Sequence, residues 1–480
     1  MAFRGIALSA VAMSSVPIFR MAAQFLVVPM LSRLLSPADY GLVSMAMPFL
    51  LFTMMFTDAG VGQSLMRTPR SDEEVWTTSF WLTIILGVTL CLGIIALAPA
   101  AAHFFGEPRL KPLIMALALA VIPQAAATIP EASLRQNHRF GVIAATESAA
   151  HAIGIMLALL IAWQGGGAWA LIAQQLGLYG ARFVLTFWYS TLRPGLVFNL
   201  RSVREHLIFG RNVLGASFMT TLTQSVDSFV IGKVLGSLLL GYYAMAFIFV
   251  RLPWRVVTGP LEYVIYAHLA PLAGNKDLVR RVFLLLTRVL AILVVPAIGL
   301  VAAAHTPVFR ILLSDKWQLS GILFMVAAPA AALQTVTAFY GTFIMALGRT
   351  DVQVRLNTEF LVALAIALLL CAPHGIVWAV MGYSAVVFLY FPRYLALIMP
   401  LLGCPAAAYL RTLAVPVVMT LSCVALYIEL TYTMVTGDWQ QMFLGGALAL
   451  LGIVSSALIQ YRALFGEVEL LSEAAGFASA

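Results

Sequence analysis

The chain has 480 residues, of which 62% are hydrophobic and only 10% charged, with a mean hydropathy of +0.97 and a net charge of +8. A soluble domain runs nearer half apolar and about a quarter charged, so folding alone would not hide this much apolar surface from water. The composition excludes a soluble enzyme and, lacking a soluble basic surface, a nucleic-acid-binding protein.

Apolar runs of about 20 residues, long enough to cross a hydrocarbon core of about 30 Å, recur from end to end. They predict an all-α polytopic membrane protein of about fourteen transmembrane helices, near 11–34, 40–64, 76–102, 110–131, 141–163, 167–190, 206–234, 238–263, 281–304, 319–345, 353–373, 376–400, 407–431 and 440–461. The first run has Arg4 as a basic flank, but its apolar core is too long for a signal peptide and Arg20 interrupts it, so it is expected to stay. Cys91, Cys371, Cys404 and Cys423 fall in or beside apolar runs without metal-ligand spacing; neither a metal site nor a disulfide framework is expected, and nothing asks for a cofactor. The longest polar connection, TLRPGLVFNLRSVREH at 191–206, carries no catalytic constellation, so the chain is not expected to be an enzyme. With the N-terminus inside, sixteen of the 28 Lys and Arg fall on cytoplasmic connections and six on outer ones, which predicts two cytoplasmic termini and attraction to an anionic inner leaflet.

The chain repeats itself. RLLSPADYGLVSMAMPF at 33–49 is echoed by KVLGSLLLGYYAMAFIF at 233–249, where Leu35, Gly41, Met45, Ala46 and Phe49 return as Leu235, Gly241, Met245, Ala246 and Phe249. Gln24 and Gln224 share that offset. Further on, Trp169-Ala170 returns as Trp378-Ala379, followed in each copy by an arginine, Arg182 and Arg393; Glu147 and Glu359 sit on the preceding helices. The markers predict two pseudo-symmetric six-helix lobes, 1–200 and 201–402, related by an axis along the membrane normal, and an extra helix pair with a short tail at 403–480. Two facing lobes suit alternating access.

Ionisable side chains inside a membrane helix cost roughly 2.5–3.5 kcal/mol each on insertion scales, so they tend to face protein or a wet cavity. Arg20 and Gln24 lie one turn apart; Gln224 and Asp227 continue the equivalent stripe in the second copy; Arg251 and Arg255 are again one turn apart. Together with Arg182 and Arg393 they form a candidate cationic cavity, in which planar guanidinium forks suit a phosphate or pyrophosphate. Snorkelling to headgroups is the alternative for Arg251 and Arg255, and pairing with a buried carboxylate for Arg393. Glu147 and His151, spaced i, i+4, together with Asp227 and Glu359, are candidates for ion coupling.

RLLSPADYGLV, TDAGVGQSL, ASLRQNHRF, GGGAWALIAQQL and IGKVLGSLLLGYYAMAF together resemble the polysaccharide transporter family, closest to its colanic-acid-exporter-like branch, over most of residues 10–400. The resemblance implies a flippase of the superfamily that also holds multidrug exporters and lipid II flippases. Its implied cargo is an undecaprenyl-pyrophosphate-linked oligosaccharide carried across the bacterial inner membrane for exopolysaccharide or lipopolysaccharide biosynthesis. Membrane lipids, a polysaccharide polymerase and the export machinery are the implied partners. An embedded polymerase or ligase would require a large outer loop, and a cation-coupled multidrug exporter would favour acidic cavity walls; these are the alternatives.

Overall fold

The computed structural model describes residues 26–57, 62, 65, 72–199, 203–255, 265, 269, 275–435 and 437–464, except the side chains of 204–217 and 220. Among them every regular element is helical, and eleven helices are long and apolar enough to cross a membrane. Helix α1 covers residues 26–34, and the remainder of the predicted run 11–34 lies outside the described residues. It is followed by α2 (Pro37–Thr57), α3 (Glu73–Phe105), α4 (Leu110–Ala118), α5 (Val121–Gln136), α6 (Phe140–Trp163), α7 (Ala168–Tyr189) and α8 (Arg204–Pro253). Then come α9 (Lys276–Ala303), α10 (His305–Leu312), α11 (Gln318–Val336), α12 (Tyr340–Ala346), α13 (Thr350–Cys371), α14 (Ile376–Leu401), α15 (Ala406–Thr433) and α16 (Asp438–Ile459). The run predicted at 110–131 is divided into α4 and α5, and that at 319–345 into α11 and α12. The runs predicted at 206–234 and 238–263 are the two arms of α8, bent at Gly236, whose φ of 79° is open chiefly to glycine. The helices form two compact units, Met1–Ala244 and Met245–Ala480.

In the first unit, the corner before α2 is a reciprocal cap. Ser36 Oγ accepts from Asp39 N at 3.2 Å, while Asp39 Oδ2 accepts from Ser36 N at 2.9 Å, and Pro37 takes the first helical position, where no N–H is needed. The second carboxylate oxygen of Asp39 reaches the N-terminus of α7, accepting from Ala168 N at 3.0 Å. The echoed corner has Gly236 where the first has Ser36; Ser237 then donates to Glu107 at 2.5 Å, and Lys233 donates to the carbonyl of Phe104. The two corners meet. A Cβ on Gly41 would lie 1.7 Å from Ser237 O, and one on Gly241 1.7 Å from Pro37 O. Position 37 faces 241 and position 237 faces 41, the reciprocal pattern of a two-fold contact. Glycine is required because backbone meets backbone there. Between α6 and α7, Gly154 and Gly177 serve the same purpose: a Cβ on Gly154 would come within 2.7 Å of Gln174 O, and one on Gly177 within 3.3 Å of Gly154 Cα. Small residues suit lipid-embedded interfaces, where dispersion rather than water expulsion joins helices.

In the second unit, α15 and α16 pack on α9. Gly299 faces Thr420, while Gly445 faces Ala304 and Gly452 faces Pro296. The loop after α10 is tied to the start of α16 by Arg310, which bridges Asp315 at 2.8 Å and Asp438 at 2.9 Å. Those carboxylates, Asp438 foremost, raise the arginine above its ordinary pKa.

Several helices end in the same turn. After α5, Asn137, His138 and Arg139 donate from their backbone N–H groups to Ser133, Arg135 and Leu134; after α12, Leu347, Gly348 and Arg349 donate to Phe343, Met345 and Ile344. Each residue is displaced by 210 positions, and His138 and Gly348 both take positive φ, 54° and 73°.

Candidate functional site

The glycine contact between α6 and α7 brings charged side chains together within the first unit. Arg182 Nη2 bridges Glu131 Oε2 at 2.6 Å and Glu147 Oε1 at 2.9 Å, and its Nη1 donates to Gln124 Oε1 at 3.2 Å. Glu131 in turn accepts from Arg135 Nη2 at 2.6 Å and Nε at 3.1 Å, one helical turn along α5. The Glu131 side chain is 9% exposed, and these four ionised groups sum to zero. Such balance is what a membrane interior demands, because an unpaired buried charge is far costlier than a paired one.

The second unit builds the corresponding pair. Glu359 of α13 accepts from Arg393 of α14, with Nε and Nη2 each at 3.3 Å, and from Arg355 Nε at 2.7 Å and the Tyr390 hydroxyl at 2.9 Å. Two guanidinium groups thus share one carboxylate. The cluster is more open: the Arg355 side chain is 65% exposed and Arg393 40%. Tyr390 is held edge-on by Phe360 and Tyr394, each 5.6 Å away between ring centroids.

The structure therefore joins Arg182 to Glu147 and Arg393 to Glu359, the latter a carboxylate 31% exposed rather than the buried one considered for Arg393. Asp227 is buried on α8, accepting from the Tyr243 hydroxyl at 3.1 Å and from Ser228 N at 2.8 Å. Gln224 is exposed on the same arm. Arg251 is half-buried with its guanidinium 5.6 Å from the centre of the Phe247 ring, Arg255 is exposed, and His151 is half-buried on α6. Arg20 and Gln24 lie outside the described residues. Sequence reasoning passed over Gln124, Arg135, Arg355 and Tyr390 as site residues. The i, i+4 spacing of Glu131 with Arg135 and of Arg355 with Glu359 was the available signal. Among the described residues no three His, Cys, Asp or Glu side chains converge as a metal site.

Comparison with known proteins gives a consistent assignment. A family model described as polysaccharide biosynthesis protein matches residues 30–321. The chain is 24% identical over 294 residues to the succinoglycan biosynthesis transport protein ExoT of Rhizobium meliloti (strain 1021), covering 61% of this chain but only 60% of ExoT. It is 23% identical over 399 residues to the lipopolysaccharide biosynthesis protein WzxC of Escherichia coli (strain K12), covering 82% and 80% of the two chains. With the teichuronic acid biosynthesis protein TuaB of Bacillus subtilis (strain 168) it shares 22% over 377 residues, 77% of each. In fold it is similar to a lipid II flippase MurJ in an inward closed conformation, with TM-score 0.76 at 12% identity over 96% of this chain and 100% of MurJ. An inward-facing multidrug resistance MATE family transporter follows, with TM-score 0.60 at 15% identity over 82% and 98%.

Proposed function

Because the chain belongs to the polysaccharide biosynthesis protein family, we propose that it is a flippase carrying a lipid-linked oligosaccharide repeat unit across a membrane by alternating access. The observation that carries this reading is the family match over residues 30–321 on a helical fold similar to that of MurJ. Relatives named for succinoglycan transport, lipopolysaccharide biosynthesis and teichuronic acid biosynthesis support a polysaccharide precursor as cargo. Transport proteins among these relatives and fold neighbours favour a carrier over an enzyme. The finer identity, an undecaprenyl-pyrophosphate-linked oligosaccharide moving from the inner to the outer leaflet of a bacterial inner membrane, rests on the sequence resemblance and on the arginine-rich membrane helices. Both termini would lie in the cytoplasm, and a polymerase and export machinery would take the cargo onward.

Chemically, the carrier must shield a pyrophosphate and a train of hydroxyl groups from hydrocarbon while the polyprenyl chain stays in lipid. Guanidinium groups on membrane helices supply the first requirement, because each offers paired donors and stays charged. Of the ion-coupling candidates, Asp227 has the most suitable setting: a buried carboxylate held by a tyrosine hydroxyl between the two arms of α8. Glu147 and Glu359 are each held by an arginine.

The test is the leaflet distribution of lipid-linked oligosaccharide in cells with and without the protein. Accumulation on the inner leaflet after deletion is expected. Normal export with unpolymerised repeat units outside would instead indicate a polymerase.

A further inference from the structure

The two units build similar helix pairs with unequal charge, neutral in the first and one positive charge in the second. Displaced by 210 positions, Gln124 corresponds to Gln334, and the backbone turn at 137–139 corresponds to that at 347–349. Counted back six positions from these like turns, the first unit has Glu131 and the second Gly341. The first unit thus sets two carboxylates, Glu131 and Glu147, against Arg135 and Arg182. The second has only Glu359 against Arg355 and Arg393, and is left with one positive charge. No other carboxylate contacts either guanidinium among the described residues.

The surplus is also exposed. Arg355 spends only its Nε on Glu359 and its side chain is 65% exposed, and Arg393 spends its Nε and one terminal nitrogen at the long distance of 3.3 Å. Glu359 works as a spacer that holds two forks side by side. Arg355 lies five residues from the start of α13 and Arg393 eight from the end of α14. At 1.5 Å per residue these lie about 8 and 12 Å along the helices from their ends, near enough to those ends for a headgroup-level anion. An open surplus charge there calls for an anion.

We propose that Arg355 and Arg393, spaced by Glu359, bind a phosphate-class anion in the second unit, whereas the cluster of the first unit is neutral, with Glu131 and Glu147 answering Arg135 and Arg182. The ligand is the pyrophosphate of a lipid-linked cargo or the phosphate of an anionic phospholipid; the first source rests on the flippase reading. The binding chemistry is the same in both, a planar two-fork recognition of phosphate oxygens.

The full-length protein in nanodiscs of neutral lipid is titrated with inorganic pyrophosphate, and in nanodiscs containing phosphatidylglycerol the lipid retained is counted by native mass spectrometry. Three substitutions are compared with the wild type. Arg355→Gln removes a fork, Gly341→Glu installs the carboxylate that the first unit has, and Gly341→Gln supplies the same bulk without charge. A side chain at 341 meets first the flexible amide of Gln353, 3.0 Å from the position of a Cβ, so there is room to adjust. At least a tenfold loss of pyrophosphate affinity is expected in Arg355→Gln and Gly341→Glu, with Gly341→Gln near the wild type. The same pattern seen only as loss of retained phosphatidylglycerol assigns the site to a lipid headgroup and equally supports the proposal. Neither probe binding the wild type, or all four proteins binding alike, overturns it. Normal leaflet distribution in deletion cells, beside intact charge-dependent binding, would overturn the flippase reading and leave the anion site standing.

Discussion

Replacing Gly41 by alanine tests the reciprocal corner directly. The added Cβ would lie 1.7 Å from Ser237 O, against the 3.0 Å below which real Cβ atoms essentially never come, so the two corners must part by about 3.0 − 1.7 = 1.3 Å. Backbone atoms cannot rotate aside as a side chain does, which puts the cost at the upper end of the 1–3 kcal/mol typical of overpacking, about 3 kcal/mol. Alanine returns about 1 kcal/mol of helix propensity, leaving a net loss of about 2 kcal/mol. Gly241→Ala should behave alike, because its Cβ meets Pro37 O at the same 1.7 Å. The double variant is the discriminating case. One separation relieves both clashes while both alanines keep their propensity gain, so the expected loss is only about 1 kcal/mol, where additivity would give about 4 kcal/mol. Apparent unfolding midpoints of the four purified proteins read this out. Additive losses, or single variants as stable as the wild type, would show that the corners do not bear on one another.

Other perturbations separate the remaining contacts. Glu131→Ala takes one of its two carboxylates from Arg182 and leaves Arg135 without its carboxylate; an expected loss near the lower end of about 3–5 kcal/mol would appear as a lowered apparent midpoint in detergent. Asp39→Ala removes both the cap on α2 and the bond to Ala168 N, for an expected loss of about 1–2 kcal/mol, whereas Asp39→Asn, which keeps an acceptor, should lose less. Asp227→Asn should leave the unfolding midpoint near that of the wild type but abolish any dependence of transport on an imposed ion gradient; gradient dependence unchanged in this variant would remove Asp227 from coupling. Asp438→Asn breaks an exposed bridge to Arg310, and its effect on the midpoint should vanish at high salt, since exposed pairs are screened.

Much of this architecture was legible because the bilayer imposes a length and a polarity on each span. Runs such as 76–102 and 407–431 announce themselves and appear as α3 and α15. The corner at 33–49 was legible as a repeat, but that the copies touch was not: Gly41 and Gly241 differ from other helical glycines only in what lies across from them. The division between α4 and α5 was hidden, since Leu119 and Ala120 carry no stop signal, and Pro123 falls after the helix restarts. In the candidate site, the acid and arginine markers were visible at matching places in both copies. Their pairing was not, because no periodicity reports that Arg182 reaches Glu131 across 51 residues. A scan for unusual charges reads such an arginine as a ligand for cargo until its carboxylates are found.

The two repeated features obey different constraints. At the corner, each glycine is fixed by the backbone of the other copy, so a side chain gained in either would part both, and the two positions must keep the same residue. In the helix pairs, the contact is between side chains, and only the sum of charges is constrained by burial. A carboxylate can therefore be present at 131 and absent at 341 without disturbing the shared turn, provided that some anion answers the surplus guanidinium in the second unit. On the flippase reading, a cargo charged at one end would then meet two unequal helix pairs, neutral in the first unit and with one positive charge in the second. If so, adding the missing carboxylate by Gly341→Glu should impair transport far more than Gly341→Gln, at equal protein abundance, in the leaflet assay. Equal impairment by both substitutions would mean that bulk rather than charge matters at this position.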